Sequence, residues 1–393
     1  MSIDPFRLER YFAKYEFKVK FLLSSSDCES IGMADLLQMA SPASLELWHG
    51  LKLGYTESQG HPLLRAEVAG LYEHIAADNV LIAAPEELIF VAMQTLLNPD
   101  DHVVVVSPAY QSLYEIARSM GCAITPWKVR PGKAGWQMDF DQLEQSITGR
   151  TRMLVLNFPH NPTGHTLTRA ELDLVIELAR KNDLYIFSDE MYRLLEYDPA
   201  VRLPAVCDLY EKGISLSGLS KAFALPGLRL GWLATQEPSL MERWIAYKDY
   251  TTICNSAPGE VLGLIALQNK EWIVHRNLDI IFENLKSVRR FFTEHQDTFT
   301  WFSPKAGSVA FPEWIGDGPV EEFCQGVLEQ QGVMLVPGEL FGLPGNHFRM
   351  GLGRKNLPDA LAQVGDYLQK KIGDRHISDH TRSGENPFIF DGL

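Results

Sequence analysis

The sequence lacks the short motifs that mark common metal and nucleotide sites. Its five cysteines are widely spaced without a CxxC pair, and its 11 histidines include no HExxH. The glycine-rich turns GxGxxG and GxxxxGK[ST], which bind nucleotide phosphates, do not occur. These absences argue against a zinc site, a disulfide framework and the common nucleotide-binding folds. We therefore predict reduced, mostly buried thiols and no bound metal.

The sequence is also poor in positive charge and in long apolar runs. Lys and Arg number 36 against 50 Asp and Glu, which gives a formal net charge of −14. Such a chain repels phosphate backbones, so we expect no nucleic-acid partner. No apolar run reaches the roughly 18–20 residues that a membrane span needs. The charged start MSIDPFRLERYFAKYEFKVK is unlike a signal or transit peptide, so we expect a cytoplasmic protein that does not enter membranes.

Short apolar runs alternate with helical patterns between about residues 80 and 235. A helix is predicted over Arg169–Lys181, capped by Thr168. Continuous apolar strands are typical of a sheet that is buried on both faces and hence mainly parallel. The predicted strands are His102–Ser107, Arg152–Phe158, Leu184–Ser188, Ile214–Ser217 and Leu230–Ala234.

The last third of the chain has a different pattern, which predicts a second, smaller domain. A long amphipathic helix over Trp272–His295 precedes strand-like segments near residues 301, 309–312 and 333–336, and a last helix over about Pro358–Lys371. We predict an N-terminal arm that completes part of the small domain (1–45), a large α/β domain (46–269), a small α+β domain (270–371) and a polar, partly disordered tail (372–393).

The segment SGLSKAFALPGLRLGW places Lys221 directly after a predicted buried strand. Burial disfavours the charged form, so we expect a lowered pKa for Lys221 and a nucleophilic amine. Ser217 and Ser220 supply hydroxyls, and Arg229 can bind an anion through two hydrogen bonds. A lysine that forms a Schiff base beside a bound phosphate, as pyridoxal phosphate (PLP) requires, fits this pattern. Taken alone, the segment fits a solvated surface loop equally well.

Two further predicted strands end in polar residues. NFPHNPTG leaves one strand with Asn161, and LYIFSDEMY ends another with Asp189 and then Tyr192. Ligands collect at the carboxyl ends of strands in open α/β sheets. A carboxylate there can keep a pyridine nitrogen protonated, and a tyrosine can donate to a ring oxygen. Turn or strand-end chemistry explains each motif singly, but the three motifs together favour a PLP site.

These three segments resemble the signature motifs of the fold-type I PLP enzymes, the class I/II aminotransferase superfamily. The resemblance extends over about residues 1–371. It implies a mainly parallel central sheet flanked by helices, with a smaller α+β domain. It also implies PLP as the cofactor, a small amino-acid substrate, and a homodimer with shared active sites.

The resemblance implies a role for each matching residue. Lys221 would form the internal aldimine with PLP and shuttle protons. Asp189 would pair with the pyridinium nitrogen, and Asn161 and Tyr192 would bind the ring oxygen.

Other matches concern the phosphate, the ring face and the substrate. Tyr110, in SPAYQSLYE, resembles the aromatic residue that stacks on the ring. Arg349, in HFRMGLG, resembles the arginine that binds the substrate α-carboxylate. Tyr55, in GYTESQGHPLLR, resembles the tyrosine that reaches the partner subunit's phosphate. The phosphate ligands within the chain would be Ser217, Ser220 and Arg229.

The sequence departs from the family where the phosphate is expected. Family members usually have a Gly-Ala/Ser-X turn that opens a helix, but here the residues are Ala84, Pro85, Glu86 and Glu87. Proline is compatible with the first helical position but removes one N–H donor. We expect backbone N–H groups of this turn, that of Glu86 included, to bind phosphate, with both glutamate side chains turned away.

The N-terminal arm also departs from ordinary aminotransferases, which carry an apolar Gly-Glu-Pro-like stretch there. LERYFAKYEFKVKFLLSSSDCES instead resembles a narrower subgroup, the capreomycidine synthase-type PLP cyclases, which act on hydroxylated arginine. KDYTTICNSAP and GVMLVPGELFG are further similarities. Glu9 and Asp27 are the acids that we expect to bind a guanidinium, whose planar donors suit carboxylates. The alternative is that Glu9 caps or solvates its own helix and Asp27 caps the helix near Met33–Met39.

The sequence therefore predicts a PLP enzyme that dehydrates and cyclises a hydroxyarginine. Lys221 would remove the Cα proton, a β-hydroxyl would leave, and a guanidino nitrogen would close the ring. A γ-hydroxyl would need a second deprotonation at Cβ, and the sequence leaves both routes open. The alternatives are a conventional aminotransferase using a 2-oxo acid, and a non-catalytic binding protein, which the intact Lys221, Asp189 and Arg229 disfavour.

Overall fold

A seven-stranded sheet forms the centre of the computed structural model, which describes residues 3–342 and 345–382, with side chains up to residue 371. The strands are β1 (Val80–Ala83), β2 (His102–Ser107), β3 (Ala123–Lys128), β4 (Thr151–Asn157), β5 (Tyr185–Asp189), β6 (Gly213–Gly218) and β7 (Gly231–Thr235). Their spatial order is β1-β7-β6-β5-β4-β2-β3. β7 is antiparallel to β1 and β6, and the other pairs are parallel. The predicted α/β fold with a mainly parallel sheet is confirmed.

The sheet is buried on both faces, which explains its continuous apolar strands. Every residue of β5 and β6 is buried. The five predicted strands are all present, β2 with the predicted bounds and each of the others with bounds that differ by one residue. β1 and β3 were not predicted. β1 has four residues, and β3, at the sheet edge, contains Pro126 and exposes three of its six side chains.

Helices cover the sheet and build the rest of the chain. α8 begins as predicted, because the Thr168 hydroxyl accepts from the Glu171 N–H while the Glu171 carboxylate accepts from the Thr168 N–H at 2.7 Å. The helices are α1 (Arg7–Tyr15), α2 (Met33–Gln38), α3 (Pro42–His49), α4 (Pro62–Ala69), α5 (Pro85–Leu96), α6 (Ser112–Ser119), α7 (Phe140–Ser146), α8 (Arg169–Lys181), α9 (Val206–Leu209), α10 (Pro238–Lys248), α11 (Ala257–Gln268), α12 (Lys270–Glu294), α13 (Val320–Gln331) and α14 (Leu357–Arg382).

Short strand pairs accompany the last helices. Phe299–Thr300 pairs with Glu313–Trp314, and Phe348–Gly351 pairs with both Val309–Ala310 and Val336–Pro337. A further small pair, Arg130–Pro131 with Trp136–Gln137, lies outside this region. These strands agree with the α+β pattern expected after residue 270, and the domain boundaries themselves stay a prediction.

The N-terminal arm hydrogen-bonds to this C-terminal region. The Phe21 N–H donates to the Gly332 carbonyl at 3.0 Å, and the Gly351 N–H donates to the Leu23 carbonyl at 2.6 Å. The arm is thus a structural part of the C-terminal region, although it is the first segment of the sequence.

The C-terminal helix is longer than predicted. α14 continues to Arg382, so the predicted helix end near Lys371 is wrong, and residues 383–393 of the expected tail lie outside the described residues. The reason is that the extension contains no proline and one glycine, Gly373, which costs a helix only about 1 kcal/mol.

The described residues add three findings on cysteines, metals and membranes. All five cysteines are free, and four are buried. Among the side chains described, those of residues 3–342 and 345–371, no group of His, Cys, Asp or Glu could hold a metal ion. None of the helices described is both long and apolar enough to cross a membrane.

Candidate active site

A cavity of about 490 Å³ opens at the carboxyl ends of β4 and β5 and beyond β6. This volume is typical of a site for a cofactor and a small substrate. A second cavity, lined by Leu156, Glu190 and neighbouring side chains, has about 40 Å³ and is too small for either. Eleven predicted site residues line the larger cavity: Glu9, Asp27, Glu86, Tyr110, Asn161, Asp189, Tyr192, Ser220, Lys221, Arg229 and Arg349.

Lys221 lies in the turn that follows β6. Backbone hydrogen bonds from Leu219 to Leu230 and from Leu225 to Leu219 close this turn. The Lys221 amine donates to the hydroxyl of Ser26 at 2.8 Å. Burial lowers the pKa of Lys221, while the carboxylate of Asp27 partly opposes the shift. The lysine therefore has the environment that a nucleophile and proton carrier needs.

Asp189 is the last residue of β5 and is buried. The N–H of Met191 donates to its carboxylate at 3.1 Å, and the amide of Asn157 donates to its carbonyl at 3.2 Å. Burial raises the pKa of Asp189 to about 7, although the Met191 N–H and Lys221 favour the charged form. A cationic ring nitrogen placed beside this carboxylate would stabilise its charge, as the predicted role requires.

Asn161 and Arg349 contact each other, although they come from distant parts of the sequence. The Arg349 guanidinium donates to the Asn161 side-chain oxygen at 3.2 Å and to the Ser24 carbonyl at 3.1 Å. Its Nε is buried without a hydrogen-bond partner among the described residues. Arg349 therefore keeps a donor for an anionic ligand, and Asn161 keeps its amide N–H groups because its oxygen is occupied.

The loop that carries Asn161 is held by His160. One ring nitrogen of His160 lies 2.7 Å from the Thr163 hydroxyl, and the other lies 2.8 Å from the Pro108 carbonyl. Burial lowers the pKa of His160 to about 3, so the ring is neutral and the nitrogen facing Pro108 carries its proton. This bond also positions Tyr110, which comes two residues after Pro108.

Two of the three predicted tyrosines, Tyr110 and Tyr192, line the cavity. The Tyr192 hydroxyl is buried and donates to the Ser26 carbonyl at 3.2 Å. The Tyr110 hydroxyl donates to the Glu9 carboxylate at 2.7 Å, and its ring lies 4.8 Å from that of Phe6. Burial raises the pKa of both tyrosines, so both hydroxyls stay protonated.

Arg229 and Ser220, two of the predicted phosphate ligands, both line the cavity. Arg229 has φ +53°, a left-handed conformation that is rare outside glycine and concentrates at functional sites. Its exposed guanidinium donates to the Pro226 carbonyl at 3.0 Å. Ser217 does not line the cavity; its hydroxyl lies 3.5 Å from the Glu190 carbonyl. Successive strand side chains alternate in direction, so Leu216 faces the cavity and Ser217 does not.

The expectation that both glutamates at the start of α5 turn away is wrong for Glu86. Glu86 lines the cavity, and burial raises the pKa of its carboxyl to about 7. Glu87 does turn away and accepts hydrogen bonds from the hydroxyls of Thr251 and Thr252. The two differ because adjacent helix positions point about 100° apart. Backbone N–H groups of this turn remain at the positive end of the helix.

The acids of the N-terminal arm are only partly as predicted. Glu9 accepts from Tyr110, so its role is more than capping. Asp27 does not cap α2, which begins after Gly32 without a side-chain cap. Its carboxylate lines the cavity, binds Arg354 at 3.0 Å and accepts a short hydrogen bond from Ser25.

The sequence interpretation missed Glu16, which also lines the cavity. Glu9, Phe12 and Glu16 stand at positions i, i+3 and i+7, which share one face of α1. This spacing was visible in the sequence and could have identified Glu16.

Tyr55 lies outside the cavity of its own chain and is 90% exposed. An exposed aromatic side chain of this kind is available to a second subunit, and its predicted reach to a partner's phosphate stays a prediction.

The residues present fit PLP. The cavity brings together an amine of lowered pKa, a buried carboxylate at a strand end, and Ser220, Arg229 and the N-terminus of α5 as anion-binding groups. The unpaired Nε of Arg349 supplies a further donor for an amino-acid carboxylate.

Comparison with known proteins identifies the family of this chain. The family model "Aminotransferase class I and II" matches residues 20–363. Capreomycidine synthase of Streptomyces vinaceus is 29% identical over 367 residues, which are 92% of this chain and 93% of that protein. Several aspartate aminotransferases are also relatives.

Two solved structures are similar along nearly their whole length. A PLP-dependent aminotransferase from Streptococcus suis superposes with a TM-score of 0.88 at 28% identity, covering 94% of this chain and 99% of that one. The PLP-dependent cyclase OrfR superposes with a TM-score of 0.86 at 27% identity, covering 94% and 98%. The chain therefore belongs to the class I and II aminotransferase family and is a PLP-dependent enzyme of fold type I.

Proposed function

We propose that this enzyme acts on an α-amino acid with a guanidino side chain, and that it dehydrates and cyclises a hydroxyarginine. The observation that carries the proposal is the acidic wall of the cavity. The arm presents the carboxylates of Glu9, Glu16 and Asp27, and Arg349 lies in the same cavity. A substrate that is anionic at its α-carboxylate and cationic at its far end matches both charges, whereas the second carboxylate of aspartate would be repelled.

Arg349 would bind the α-carboxylate, using the Nε that has no protein partner. Asn161 and Tyr192 would hold the ring oxygen of the cofactor, Asp189 its ring nitrogen, and Ser220, Arg229 and the first turn of α5 its phosphate. Tyr110 would stack on the ring. Bound PLP supplies an electron sink that stabilises negative charge at the substrate Cα.

The reaction would convert hydroxyarginine into a cyclic guanidino amino acid and water. Lys221 would take the proton from Cα. The C–O bond to the hydroxyl would then break, and the hydroxyl would leave with a proton as water. A guanidino nitrogen would form the new C–N bond and lose its proton, and Lys221 would return a proton to Cα.

The relatives support this reaction without separating it fully from transamination. Capreomycidine synthase matches 92% of the chain, and OrfR is named a cyclase. A conventional aminotransferase is the second candidate, because the Streptococcus suis structure is similar over the same length and the same Lys221, Asp189 and Arg349 would serve it.

Turnover without a 2-oxo acid tests the two candidates. The purified enzyme is given 3-hydroxyarginine or 4-hydroxyarginine, and the products are identified by mass spectrometry. A cyclase makes many equivalents of a product that is lighter by one water and keeps its PLP. An enzyme that stops after one turnover as pyridoxamine phosphate, and resumes when a 2-oxo acid is added, is an aminotransferase.

The proposed active unit is a homodimer. Tyr55 is exposed in its own chain, and Tyr250 is also 93% exposed. Each Tyr55 would complete the phosphate site of the partner subunit.

A further inference from the structure

The three carboxylates of the arm differ in what already neutralises them. Asp27 forms an ion pair with Arg354 at 3.0 Å, and its other oxygen accepts from Ser25. Glu9 accepts a hydrogen bond from the neutral hydroxyl of Tyr110. The carboxylate of Glu16 makes no hydrogen bond or ion pair with another residue that the structure describes. Negative charge without a cation partner is therefore concentrated at Glu9 and Glu16.

Glu16 stands at the end of α1, where its backbone N–H donates to the Phe12 carbonyl at 2.8 Å. Glu9, Phe12 and Glu16 all line the cavity from one face of this helix. The Arg349 guanidinium lies 5.8 Å from the ring of Phe12. A substrate whose α-carboxylate binds Arg349 would therefore lie beside Phe12, in the middle of this face. Its side chain can extend along the same helix face.

When no ligand is bound, the surroundings of Glu16 disfavour its negative charge. Burial raises the pKa of Glu16, and the carboxylates of Asp27 and Glu9 raise it further. Arg354 and Lys221 oppose them. Arg354 is already paired with Asp27, and Lys221 is the residue proposed to bind PLP. A cationic ligand would remove the repulsion between Glu9 and Glu16.

We propose that Glu16 is a specificity residue, which binds the cationic end of the substrate side chain together with Glu9, while Asp27 neutralises Arg354. This inference rests on the proposed guanidino substrate and changes which carboxylates recognise it. Glu9 and Glu16 lie two helical turns apart, about 10 Å along the axis. A planar guanidinium placed between their side chains can donate N–H groups to both carboxylates.

L-Arginine and L-citrulline provide the test, because they have the same length and citrulline has a neutral ureido group in place of the guanidinium. Their dissociation constants for the PLP-loaded enzyme are measured from the change in the cofactor absorption spectrum. We expect the wild-type enzyme to prefer arginine. Glu16→Gln should reduce this preference about tenfold, in line with loss of one partly exposed charge-assisted hydrogen bond, and should leave citrulline binding unchanged.

Asp35→Asn is the matched control, because Asp35 is exposed on the same arm outside the cavity and its substitution removes the same charge. Asp35→Asn should keep the wild-type preference for arginine. Glu16→Asp should keep part of the preference that Glu16→Gln loses. The role of Glu16 would be overturned if Glu16→Gln weakened the binding of arginine and of citrulline equally. It would also be overturned if Glu16→Gln kept the same preference for arginine as Asp35→Asn.

The same measurements separate this inference from the proposed function. A wild-type enzyme that does not prefer arginine to citrulline contradicts the guanidino substrate itself. If the wild-type enzyme prefers arginine, and Glu9→Gln reduces this preference but Glu16→Gln does not, Glu16 has no part in recognition. The proposed function is then unaffected.

Discussion

The amine of Lys221 donates to the hydroxyl of Ser26, which lies 195 residues earlier in the chain. The carbonyl of the same serine accepts hydrogen bonds from Tyr192 at 3.2 Å and from the Ser308 hydroxyl at 2.7 Å. One residue of the N-terminal arm thus holds the lysine of the large sheet, a tyrosine that follows β5, and a serine of the C-terminal region. The arm therefore contacts the lysine proposed to bind PLP and also supplies the acidic wall of the cavity.

Lys221→Ala should abolish the visible absorption band of the bound cofactor, because the covalent link to the protein is lost. The control is Lys305→Ala, which removes an exposed lysine outside this cavity and should keep the band. Absorption spectra of the two purified variants decide the matter. An unchanged band in Lys221→Ala would show that another lysine binds PLP.

Asp189→Asn should bind PLP but lose about 10- to 150-fold in turnover, since an amide cannot stabilise a protonated ring nitrogen as a carboxylate does. Cofactor content is measured by absorbance and kcat by product formation. Turnover close to that of the wild type would contradict the role of Asp189 in strengthening the electron sink.

Glu86→Gln should make the cofactor-free protein more stable at high pH. The pKa of Glu86 is about 7 in the folded protein against 4.5 for an ordinary glutamate. Between these values the folded state holds a proton that the unfolded chain has lost, so the free energy of unfolding falls as the pH rises. Glutamine does not ionise, so the variant avoids this loss of unfolding free energy, which is about 3 kcal/mol at most.

Urea unfolding at about pH 5.5 and about pH 8 measures this difference. The free energy of unfolding of Glu86→Gln should exceed that of the wild type by more at pH 8 than at pH 5.5. The control is Glu87→Gln, on the outer side of the same helical turn, which should show no such pH-dependent gain. A Glu86→Gln protein with the wild-type pH dependence would refute the buried, protonated carboxyl.

Hybrid dimers should show whether Tyr55 acts on the partner subunit. In a dimer of one Lys221→Ala chain and one Tyr55→Phe chain, action across the interface places both lesions in one site and leaves the other intact. Such hybrids should bind PLP with wild-type affinity at half the sites and regain activity that neither parent homodimer has. If Tyr55 acts within its own chain, or a monomer is fully active, no wild-type site will be regained.

Local sequence patterns were enough to predict five of the seven strands of the central sheet, the start of α8, and the polar residues at or beyond the ends of β4, β5 and β6. In these segments the signal is a short apolar strand followed by a polar residue, and the fold brings such strand ends to one edge. Lys221, Asp189 and Asn161 were predicted on this basis, and all three line one cavity.

The sequence could not show which charges would pair across long separations. Arg354 lies 327 residues from Asp27, and it forms an ion pair with a carboxylate that local reasoning had placed against the substrate. The direction of the Glu86 side chain depends on the exact residue at which α5 begins. A sequence predicts the start of a helix only to within a residue or two, so it cannot predict this direction. Ser217 was misplaced for a similar reason, because strand alternation decides which face it occupies.

The pairing of the first thirty residues with the end of the chain determines when the enzyme can be completed during synthesis. The N–H of Phe21 bonds to Gly332, and the carbonyl of Leu23 accepts from Gly351, so these partners emerge from the ribosome more than 300 residues later. At about 5–20 residues per second, the arm waits at least about 15 seconds for them, while the central sheet already has all its strands. The segment that contacts Lys221 and presents Glu9 and Glu16 is therefore translated long before the residues that hold it in place.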